Sequence, residues 1–236
     1  MTNEEGKERK IVVPGETIIE GEDYLPGDGT RREGEVIVAN RYGLSDVSDR
    51  LIKIIPLSGV YHPRRGNTII GQVKDITFNG WILDFGGAAN AFLGVSEVTK
   101  YINKNEMRDY LDFDDLVVAK VNDSGSKTIA VTTKMRGLGK LEGGIIMKIN
   151  PHKVPRVIGK EGSMVNIIKE ETKCNITVGQ NGWVWIKSQE DNIDDELKTR
   201  EIINFICENS HITGLTDKVE KFINDFEKDN KKGEQK

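Results

Sequence analysis

The chain of 236 residues lacks the features that would place a protein in a membrane or send it out of the cell. It has no apolar run approaching the ~20 residues that a membrane-spanning helix needs. Its first residues, Met-Thr-Asn-Glu-Glu-Gly-Lys, lack the basic and apolar segments of a secretory signal peptide. We therefore expect a cytoplasmic protein.

Residues that bind metals or carry nucleophilic chemistry are also scarce, since the chain has 2 cysteines and 3 histidines. Cys174 and Cys207 lack both C-x-x-C spacing and neighbouring histidines, so we predict two buried, reduced thiols and no zinc site. His62, His152 and His211 have no Cys or Ser partner at a spacing typical of a catalytic pair. We expect neither a metal nor another cofactor.

Acidic pairs and glycine-lysine pairs give no sign of catalysis either. Asp114-Asp115 and Asp194-Asp195 have no further carboxylates spaced to complete a metal-binding nuclease cluster. Gly139-Lys140 and Gly159-Lys160 lack the upstream glycine and the following Ser or Thr of a phosphate-binding P-loop. The sequence therefore predicts a protein that is not an enzyme.

The formal net charge of −4 hides an uneven distribution along the chain. Residues 64–190 carry 18 Lys and Arg against 14 Asp and Glu, whereas residues 1–63 and 191–236 each carry 8 against 12. The positive middle could attract phosphate, but its excess is small. We expect one chain alone to bind nucleic acid weakly.

Turn signals and strand patterns divide the chain into a multidomain, mainly β protein with an α+β part. Residues 1–62 contain short apolar runs separated by turns such as Pro14-Gly15, which predict an acidic all-β domain suited to docking. Residues 63–136 predict a barrel, residues 143–226 an α+β domain with a C-terminal helix, and residues 227–236 a disordered tail. The glycine-rich stretch over 135–144 is a short link that restricts how the two neighbouring domains lie.

The barrel prediction follows from five short strands and a helical segment near Asn103–Tyr110 that comes before the fourth strand, which is the OB arrangement. The strands are predicted at Thr68–Ile76, Gly80–Phe85, Ala91–Val95, Leu116–Val121 and Thr128–Thr132.

Aromatic residues around the second strand are the candidate nucleic-acid contacts of the barrel. Phe78 precedes an Asn-Gly hairpin turn, and Trp81 and Phe85 alternate along the strand, so their rings could stack on bases. Lys74, Lys127 and Lys134 could hold the backbone of the nucleic acid nearby. The alternative is that one or two of these rings, Phe85 above all, fill the barrel.

A second candidate site is the loop Ile158-Gly159-Lys160-Glu161-Gly162, which separates a short helix over 154–158 from a longer one over 163–172. Glycines at both corners let backbone N–H groups approach a phosphate, and the following helix N-terminus adds positive charge. Such a loop binds a sugar-phosphate backbone in KH domains. The candidate RNA contacts are Arg156, Ile158, Gly159, Lys160, Glu161 and Gly162, and the alternative is a plain glycine-capped helix connection.

The elements around this loop support the KH interpretation. A strand over 145–149 precedes it, a hairpin over 175–187 turns at Gly179-Gln180-Asn181-Gly182, and Asp191 is predicted to cap the next helix. A last amphipathic helix is predicted from Thr216 to Phe226. The resulting order, β-α-α-β-β-α, is that of a type I KH domain.

The barrel segment resembles an S1 RNA-binding domain. The resemblance rests on three stretches, which are Gly71-Gln72-Val73, Phe78-Asn79-Gly80-Trp81-Ile82-Leu83-Asp84 and Ala91-Phe92-Leu93-Gly94-Val95-Ser96. Many S1 domains have a histidine where this chain has Gly94, which implies that one contact to RNA is missing here.

As a whole, residues 8–226 resemble the S1/KH-type RNA-binding cap subunit of the archaeal exosome, the ribosomal RNA processing protein 4 family. The marks of the resemblance are Val13-Pro14-Gly15-Glu16, the link Gly137-Leu138-Gly139-Lys140-Leu141-Glu142-Gly143-Gly144, the Gly159–Gly162 loop and the Gly179–Gly182 turn. The resemblance implies a non-catalytic subunit, three copies of which sit on a hexameric ring of RNase PH-type subunits through their N-terminal domains. It implies that single-stranded RNA enters there by its 3′ end, and that Gly179, Asn181 and Gly182 pack the KH domain on the S1 domain.

Two other functions fit parts of the pattern. A bacterial-type transcription termination/antitermination factor also has an S1 domain before KH domains, but it would carry two KH domains where this sequence predicts one. A self-contained RNA-degrading enzyme is disfavoured by the missing carboxylate cluster.

Overall fold

The computed structural model describes residues 9–125, 128–210, 212 and 214–223, and the chain divides between Gly59 and Val60 into two compact units. The division falls close to residue 62, the predicted end of the first domain. The predicted contact Lys127, the predicted helix end at Phe226 and the predicted tail over 227–236 lie outside the described residues.

The first unit is all β and consists of two small sheets. One sheet has the strand order β1-β6-β7-β3 and the other the order β2-β5-β4. Val12, Ala39 and Ile54 lie in the core of the unit. The strands are β1 Ile11–Val12, β2 Thr17–Glu20, β3 Leu25–Pro26, β4 Thr30–Glu33, β5 Val36–Ala39, β6 Gly43–Ser48 and β7 Leu51–Pro56.

Two strands of this unit, β4 and β6, carry no strong sequence signal. The β4 sequence Thr-Arg-Arg-Glu has no apolar face, because this strand is at the edge of its sheet and every residue is at least partly exposed. In β6, small and polar residues occupy the inward positions Gly43 and Ser45. Backbone pairing with β5 and β7, rather than side-chain burial, therefore defines these two strands.

The second unit begins with a closed five-stranded barrel. Its strands follow the order β12-β10-β9-β8-β11, and β11 pairs with β12 to close the cylinder. The bounds are β8 Thr68–Thr77, β9 Gly80–Asp84, β10 Ala91–Gly94, β11 Leu116–Ser124 and β12 Ile129–Thr132, with helix α1 at Met107–Tyr110. Met107 and Leu111 belong to the barrel core, so the helical segment packs against the interior of the barrel. The predicted OB arrangement is confirmed.

The glycine-rich link contains a sixth strand. Residues Gly139–Leu141 form β13, which pairs antiparallel with Leu116–Val118 of β11, next to the segment of β11 that pairs with β12. Lys140 in this strand donates to the Asp115 carboxylate over 2.6 Å. Three residues of the link thereby belong to the barrel sheet, and only residues 142–144 remain between β13 and β14 of the domain that follows.

The remaining elements have the order of a type I KH domain, as predicted. They are β14 Ile145–Lys148, α2 Val154–Ile158, α3 Ser163–Thr172, β15 Cys174–Val178, β16 Trp183–Ser188, α4 Ile193–Glu208 and a helix α5 over 215–223. The sheet is antiparallel with the order β14-β16-β15, and the helices pack on it through a shared core that includes Val157, Ile168, Val184 and Ile202.

Two local predictions in this domain have different outcomes. Asn192 caps α4, accepting from the Asp194 N–H, so the prediction that Asp191 is the cap is wrong. Asp191 instead has a left-handed backbone and bonds Lys187. The cysteines are buried and unpaired, as predicted, and burial raises the pKa of the Cys207 thiol to about 11. Within the described residues no helix has the length and apolar character to span a membrane.

Candidate nucleic-acid interface

The Gly159–Gly162 loop joins two helices through a backbone that requires glycine at its first corner. Gly159 ends α2 at φ +75, and its N–H donates to the Pro155 carbonyl over 3.0 Å. A Cβ at this residue would lie 2.6 Å from the backbone nitrogen of Met164, so no other residue fits without displacing α3. Gly162 has φ +82 but open space around it, since a Cβ there would have no neighbouring atom nearer than 3.9 Å.

The side chains of this loop point to solvent. Lys160, Glu161 and Arg156 are exposed, and Ile158 is partly buried. Glu161 holds a left-handed backbone at φ +54, which costs a residue with a Cβ about 1 kcal/mol. The loop thus presents backbone and two opposite charges at the start of α3, an arrangement that can receive a phosphate.

The Gly179–Gly182 turn is built differently, because it is inserted against the barrel. The Asn181 side chain accepts from the Ile70 N–H over 3.1 Å and donates to the Ile70 and Phe85 carbonyls over 2.8 and 2.9 Å. The Thr68 N–H donates to Gln180 Oε1, and the Gln180 N–H donates to the Thr68 carbonyl. This turn therefore extends the hydrogen bonding of strand β8 into the KH domain.

Sterics at the turn are as restrictive as its hydrogen bonds. A Cβ at Gly179 would lie 2.3 Å from Asn181 Oδ1, and a Cβ at Gly182 would lie 2.2 Å from the Ile149 carbonyl oxygen. Beside the turn, Trp183 packs with Ile70 in a small apolar cluster shared by the barrel and the KH domain. The barrel and the KH domain thus share a continuous contact of amide hydrogen bonds and buried apolar side chains.

The rings of the barrel differ from the predicted arrangement. Phe78 is 77% exposed, as a base-stacking ring would have to be. Trp81 is 0% exposed and its indole N–H donates to the Leu111 carbonyl over 2.9 Å, so the prediction that it contacts RNA is wrong. Trp81 and Leu83 on the inward face of β9, together with Phe85 directly after this strand, fill the barrel. Phe85 thus follows the alternative of core burial.

Lys74 is exposed on β8 and lines a cleft on the outside of the barrel, next to Ile82 and Phe92. A second cleft beside it is lined by Phe78, Phe92 and Tyr101, and Tyr101 is 92% exposed. Phe92 was detectable from the sequence, because it alternates with two inward residues, Ala91 and Leu93. The exposure of Tyr101 could not be predicted from the sequence, because it lies in an irregular segment without a helical or strand pattern.

Across the described parts of the chain, no group of three or more His, Cys, Asp and Glu side chains could hold a metal ion.

Comparison with known proteins gives consistent matches over most of the chain. A family model of the KH domain matches residues 144–192. The chain is 41% identical over 217 residues to the exosome complex component Rrp4 of Methanothermobacter thermautotrophicus, an alignment that covers 92% of this chain and 68% of that protein. It is 39% identical to the Rrp4 of Methanothermus fervidus, covering 92% of this chain and 96% of the relative.

One solved structure extends the match to three dimensions. A crystal structure assigned to an exosome complex RNA-binding protein aligns with a TM-score of 0.64 and 30% identity, covering 73% of this chain and 99% of that one.

Proposed function

Because the chain belongs to the exosome complex component Rrp4 family, we propose that it is a non-catalytic subunit that captures the 3′ ends of single-stranded RNA in the cytoplasm. It passes them to a hexameric ring of RNase PH-type subunits, which carries three copies of this chain. The ring then degrades or processes the RNA in the 3′-to-5′ direction.

The observation that carries this proposal is the contact between the barrel and the KH domain. Asn181 bonds two barrel segments at once, through Ile70 and Phe85, with all three bonds buried. An exposed ring on the barrel and an open glycine loop on the KH domain therefore belong to one body. A strand that contacts both is oriented without the cost of ordering two independent modules.

The two surfaces contribute different kinds of contact to RNA. The Gly159–Gly162 loop, which includes Lys160, and the neighbouring Arg156 bind the sugar-phosphate backbone, as KH loops do. The barrel face with Phe78 and Lys74 stacks on a base and holds a phosphate. Each contribution is modest, and three copies around one entrance raise the effective concentration of binding sites.

Docking on the ring is assigned to the outer face of the β1-β6-β7-β3 sheet. Ile11 and Ile55 both pair with Leu44 in register, and Leu25 pairs with Leu51, so these apolar side chains share one face. Ile11, Ile55, Leu25 and Leu51 are all exposed. An exposed apolar patch of this kind marks a protein contact.

Reconstitution tests the proposal. The purified chain is incubated with labelled poly(A) and phosphate, alone and together with RNase PH-type subunits. We expect no shortening by the chain alone and faster shortening by the ring when the chain is present. Shortening by the chain alone, or co-purification with RNA polymerase in place of RNase PH-type subunits, would refute the cap-subunit function.

A variant pair tests the docking face separately. Leu25→Asp together with Ile55→Asp is expected to prevent co-purification with the ring, because two charges would be buried at the contact. Thr17→Asp, at an exposed position of the other sheet, is the control and is expected to assemble normally. If both variants assemble equally well, the ring docks on another surface.

A further inference from the structure

The tripeptide Asn-Gly-Trp occurs twice in the chain, at Asn79-Gly80-Trp81 and at Asn181-Gly182-Trp183. An asparagine followed by glycine is chemically labile, because glycine has no Cβ to keep its backbone nitrogen away from the asparagine side chain. Asn79 is exposed in a hairpin turn of the barrel. Asn181 is 6% exposed in the turn that is inserted against the barrel. The same labile pair therefore lies in two different environments.

The reaction that threatens such a pair is deamidation. The Gly182 backbone nitrogen gives its proton to water and forms a bond to Asn181 Cγ. The bond between Cγ and Nδ2 breaks, and Nδ2 takes up a proton from water and leaves as ammonia. Water then opens the five-membered succinimide, which yields aspartate after attack at Cγ and isoaspartate after attack at the backbone carbonyl carbon. One water is consumed and one ammonia is released, with no oxidation or reduction.

The groups that would react are held in place by the contact with the barrel. The Asn181 amide donates to the Ile70 and Phe85 carbonyls and accepts from the Ile70 N–H, so Cγ is not free to turn toward the next nitrogen. The Gly182 N–H donates to the Gly179 carbonyl over 2.9 Å, which keeps the proton on the attacking nitrogen. Asn181 is therefore protected for as long as the turn stays docked.

The turn can leave the barrel without the unfolding of either domain. The barrel and the KH domain have separate cores. Apart from the turn, they share a small cluster in which Ile70, Val118 and Trp183 are buried. Local opening of a folded protein requires less free energy than global unfolding. Because all three partners of the Asn181 side chain belong to the barrel, one opening event releases them together.

The product of the reaction does not fit the docked position. A carboxylate accepts hydrogen bonds but donates none. Aspartate at position 181 could keep the bond from the Ile70 N–H, but it would direct a negative oxygen at the Ile70 and Phe85 carbonyls, and burial of an unpaired charge is unfavourable. Isoaspartate would also add a carbon atom to the backbone beside Gly182, where even a Cβ would lie 2.2 Å from the Ile149 carbonyl oxygen.

We propose that Asn181 is a modification site that docking protects and undocking exposes. Deamidation makes undocking irreversible, so that the KH domain stays detached from the barrel. Asn181 thereby limits the working lifetime of the combined barrel and KH body. This inference goes beyond the proposed function, because neither the reaction nor its measurement involves RNA.

The test follows the mass of the peptides that contain Asn79 and Asn181 while the full chain is kept in mildly alkaline buffer. Digestion with a protease active in acid prevents conversion during the analysis. Ile70→Ala removes a side chain of the shared cluster and leaves the backbone partners of Asn181 in place. We expect Asn181 to convert at least about tenfold faster in this variant than in the wild type, because truncation of a buried isoleucine favours the open state by such a factor.

Two controls accompany this variant. Ile69→Ala is the same change at the neighbouring residue, whose side chain lies in the barrel core, and it should leave the conversion of Asn181 close to that of the wild type. Asn79 is the internal control, because its hydrogen bonds from Thr77 and Val95 stay within the barrel. Its conversion should be equal in the wild type and in Ile70→Ala.

Asn181→Asp tests whether the product stays undocked. Cleavage after the exposed Glu142, in the short link between the two domains, reports undocking when a glutamate-specific protease is added for a limited time. We expect this cleavage to be several-fold faster in Asn181→Asp than in the wild type. Asn79→Asp makes the same change in the other Asn-Gly-Trp tripeptide and should be cleaved at the wild-type rate.

Three results would refute the inference. Conversion of Asn181 in the native wild type as fast as in the urea-unfolded chain would show that docking gives no protection. Equal acceleration by Ile70→Ala and Ile69→Ala would show that the reaction follows global unfolding. Wild-type cleavage of Asn181→Asp would show that the product still docks.

If Ile70→Ala does not fold, the wild type in urea below its unfolding transition replaces it. Conversion of Asn181 should then rise with urea while the barrel is still folded, and a constant rate over that range would refute the inference. All these results leave RNA capture untouched. Loss of RNA binding by the unmodified wild-type complex would refute the proposed function alone.

Discussion

Two four-residue turns of the KH domain begin and end with glycine, yet they have opposite environments. Gly159–Gly162 leaves both of its central side chains exposed. Gly179–Gly182 buries Asn181 against the barrel, where its amide makes three hydrogen bonds. The last glycines have nearly the same φ, +82 and +84. Gly159 also has a positive φ whereas Gly179 does not, so equal glycine spacing fixes neither the whole backbone bend nor what the turn contacts.

The residues between the glycines decide the difference. Lys160 and Glu161 would be costly to bury, so their loop stays in water and available to a ligand. An amide at Asn181 can donate and accept at once, which matches the unpaired N–H and carbonyl groups of neighbouring strands. One turn is thus open to a ligand, which we propose to be RNA, and the other joins two domains.

The largest effect is expected for Asn181→Ala. Removing the amide leaves the Ile70 N–H and the Ile70 and Phe85 carbonyls without their partner. A buried unpaired group costs about 1–3 kcal/mol, so we expect a loss of about 3 kcal/mol in the free energy of unfolding. Chemical denaturation followed by tryptophan fluorescence measures it, because Trp183 lies at the same contact.

Asn175→Ala is the matched control, since this asparagine is exposed on β15. Its change should stay within about 0.5 kcal/mol of the wild type. Equal stabilities of the two variants would mean that the barrel and the KH domain are not held together by the Gly179–Gly182 turn.

The next largest effect is a difference in stability between alanine variants of the last glycine of each turn. Gly162→Ala and Gly182→Ala impose the same left-handed strain of about 1 kcal/mol, because their φ angles match. Only at Gly182 would the new methyl group lie 2.2 Å from a backbone oxygen. We expect Gly182→Ala to be less stable than Gly162→Ala by about 2 kcal/mol, the usual cost of overpacking.

Thermal or chemical denaturation of both variants measures this difference. Because each variant serves as the control of the other, the strain common to both cancels. A difference near zero would show that the chain around Gly182 moves away easily, and that the turn is less tightly fitted than its distances indicate.

Apart from strand β13, which lies in the predicted link, the main strands and helices of the second unit could be predicted from the sequence, whereas its contacts could not. Period-two alternation and one Asn-Gly turn, at Asn79-Gly80, indicate the barrel strands, and helical spacing indicates α3 and α4. The bonds between Asn181 and Ile70 join residues 111 positions apart, so no local pattern contains them. Only the family resemblance implies that Asn181 packs the KH domain on the barrel.

The error at Trp81 has a physical cause that the sequence did contain in part. Trp81 and Leu83 in β9 and Phe85 directly after it form one apolar face, and a closed barrel must fill its interior with such a face. A buried indole needs an acceptor, and the Leu111 carbonyl that supplies it is 30 residues away. Because no local pattern identifies the Leu111 carbonyl as this acceptor, the sequence favours an exposed tryptophan.

A smaller effect is expected for Lys160→Ala in the open loop. Loss of one phosphate contact should weaken RNA binding by the assembled complex a few-fold and reduce the salt slope by about 0.7. Stability should be unchanged, because Lys160 is exposed. Lys218→Ala, on an exposed part of helix α5, removes a charge from the same domain and should leave both quantities as they are. A loss of affinity common to both variants would indicate a general charge effect and no contact at the loop.

The smallest and most specific effect concerns Glu161, the one residue of the open loop that has a Cβ and a left-handed backbone. Glu161→Gly relieves about 1 kcal/mol of backbone strain in the folded protein. Glycine also increases the entropy of the unfolded chain, which offsets part of this gain, so we expect the unfolding free energy to rise by about 0.5 kcal/mol. It also removes a negative charge beside the proposed phosphate position, so RNA affinity should rise.

Two control variants separate these contributions, with denaturation and oligo(A) binding as the measurements. Glu161→Gln keeps the strain and removes the charge, so it should raise RNA affinity without a gain in stability. Lys160 does not share the left-handed backbone, so Lys160→Gly should lower stability by about 0.5–1 kcal/mol. If Glu161→Gly destabilises the protein as Lys160→Gly does, the left-handed loop is not the conformation in solution. The comparison of the two turns would then be supported only by the contacts of the Gly179–Gly182 turn.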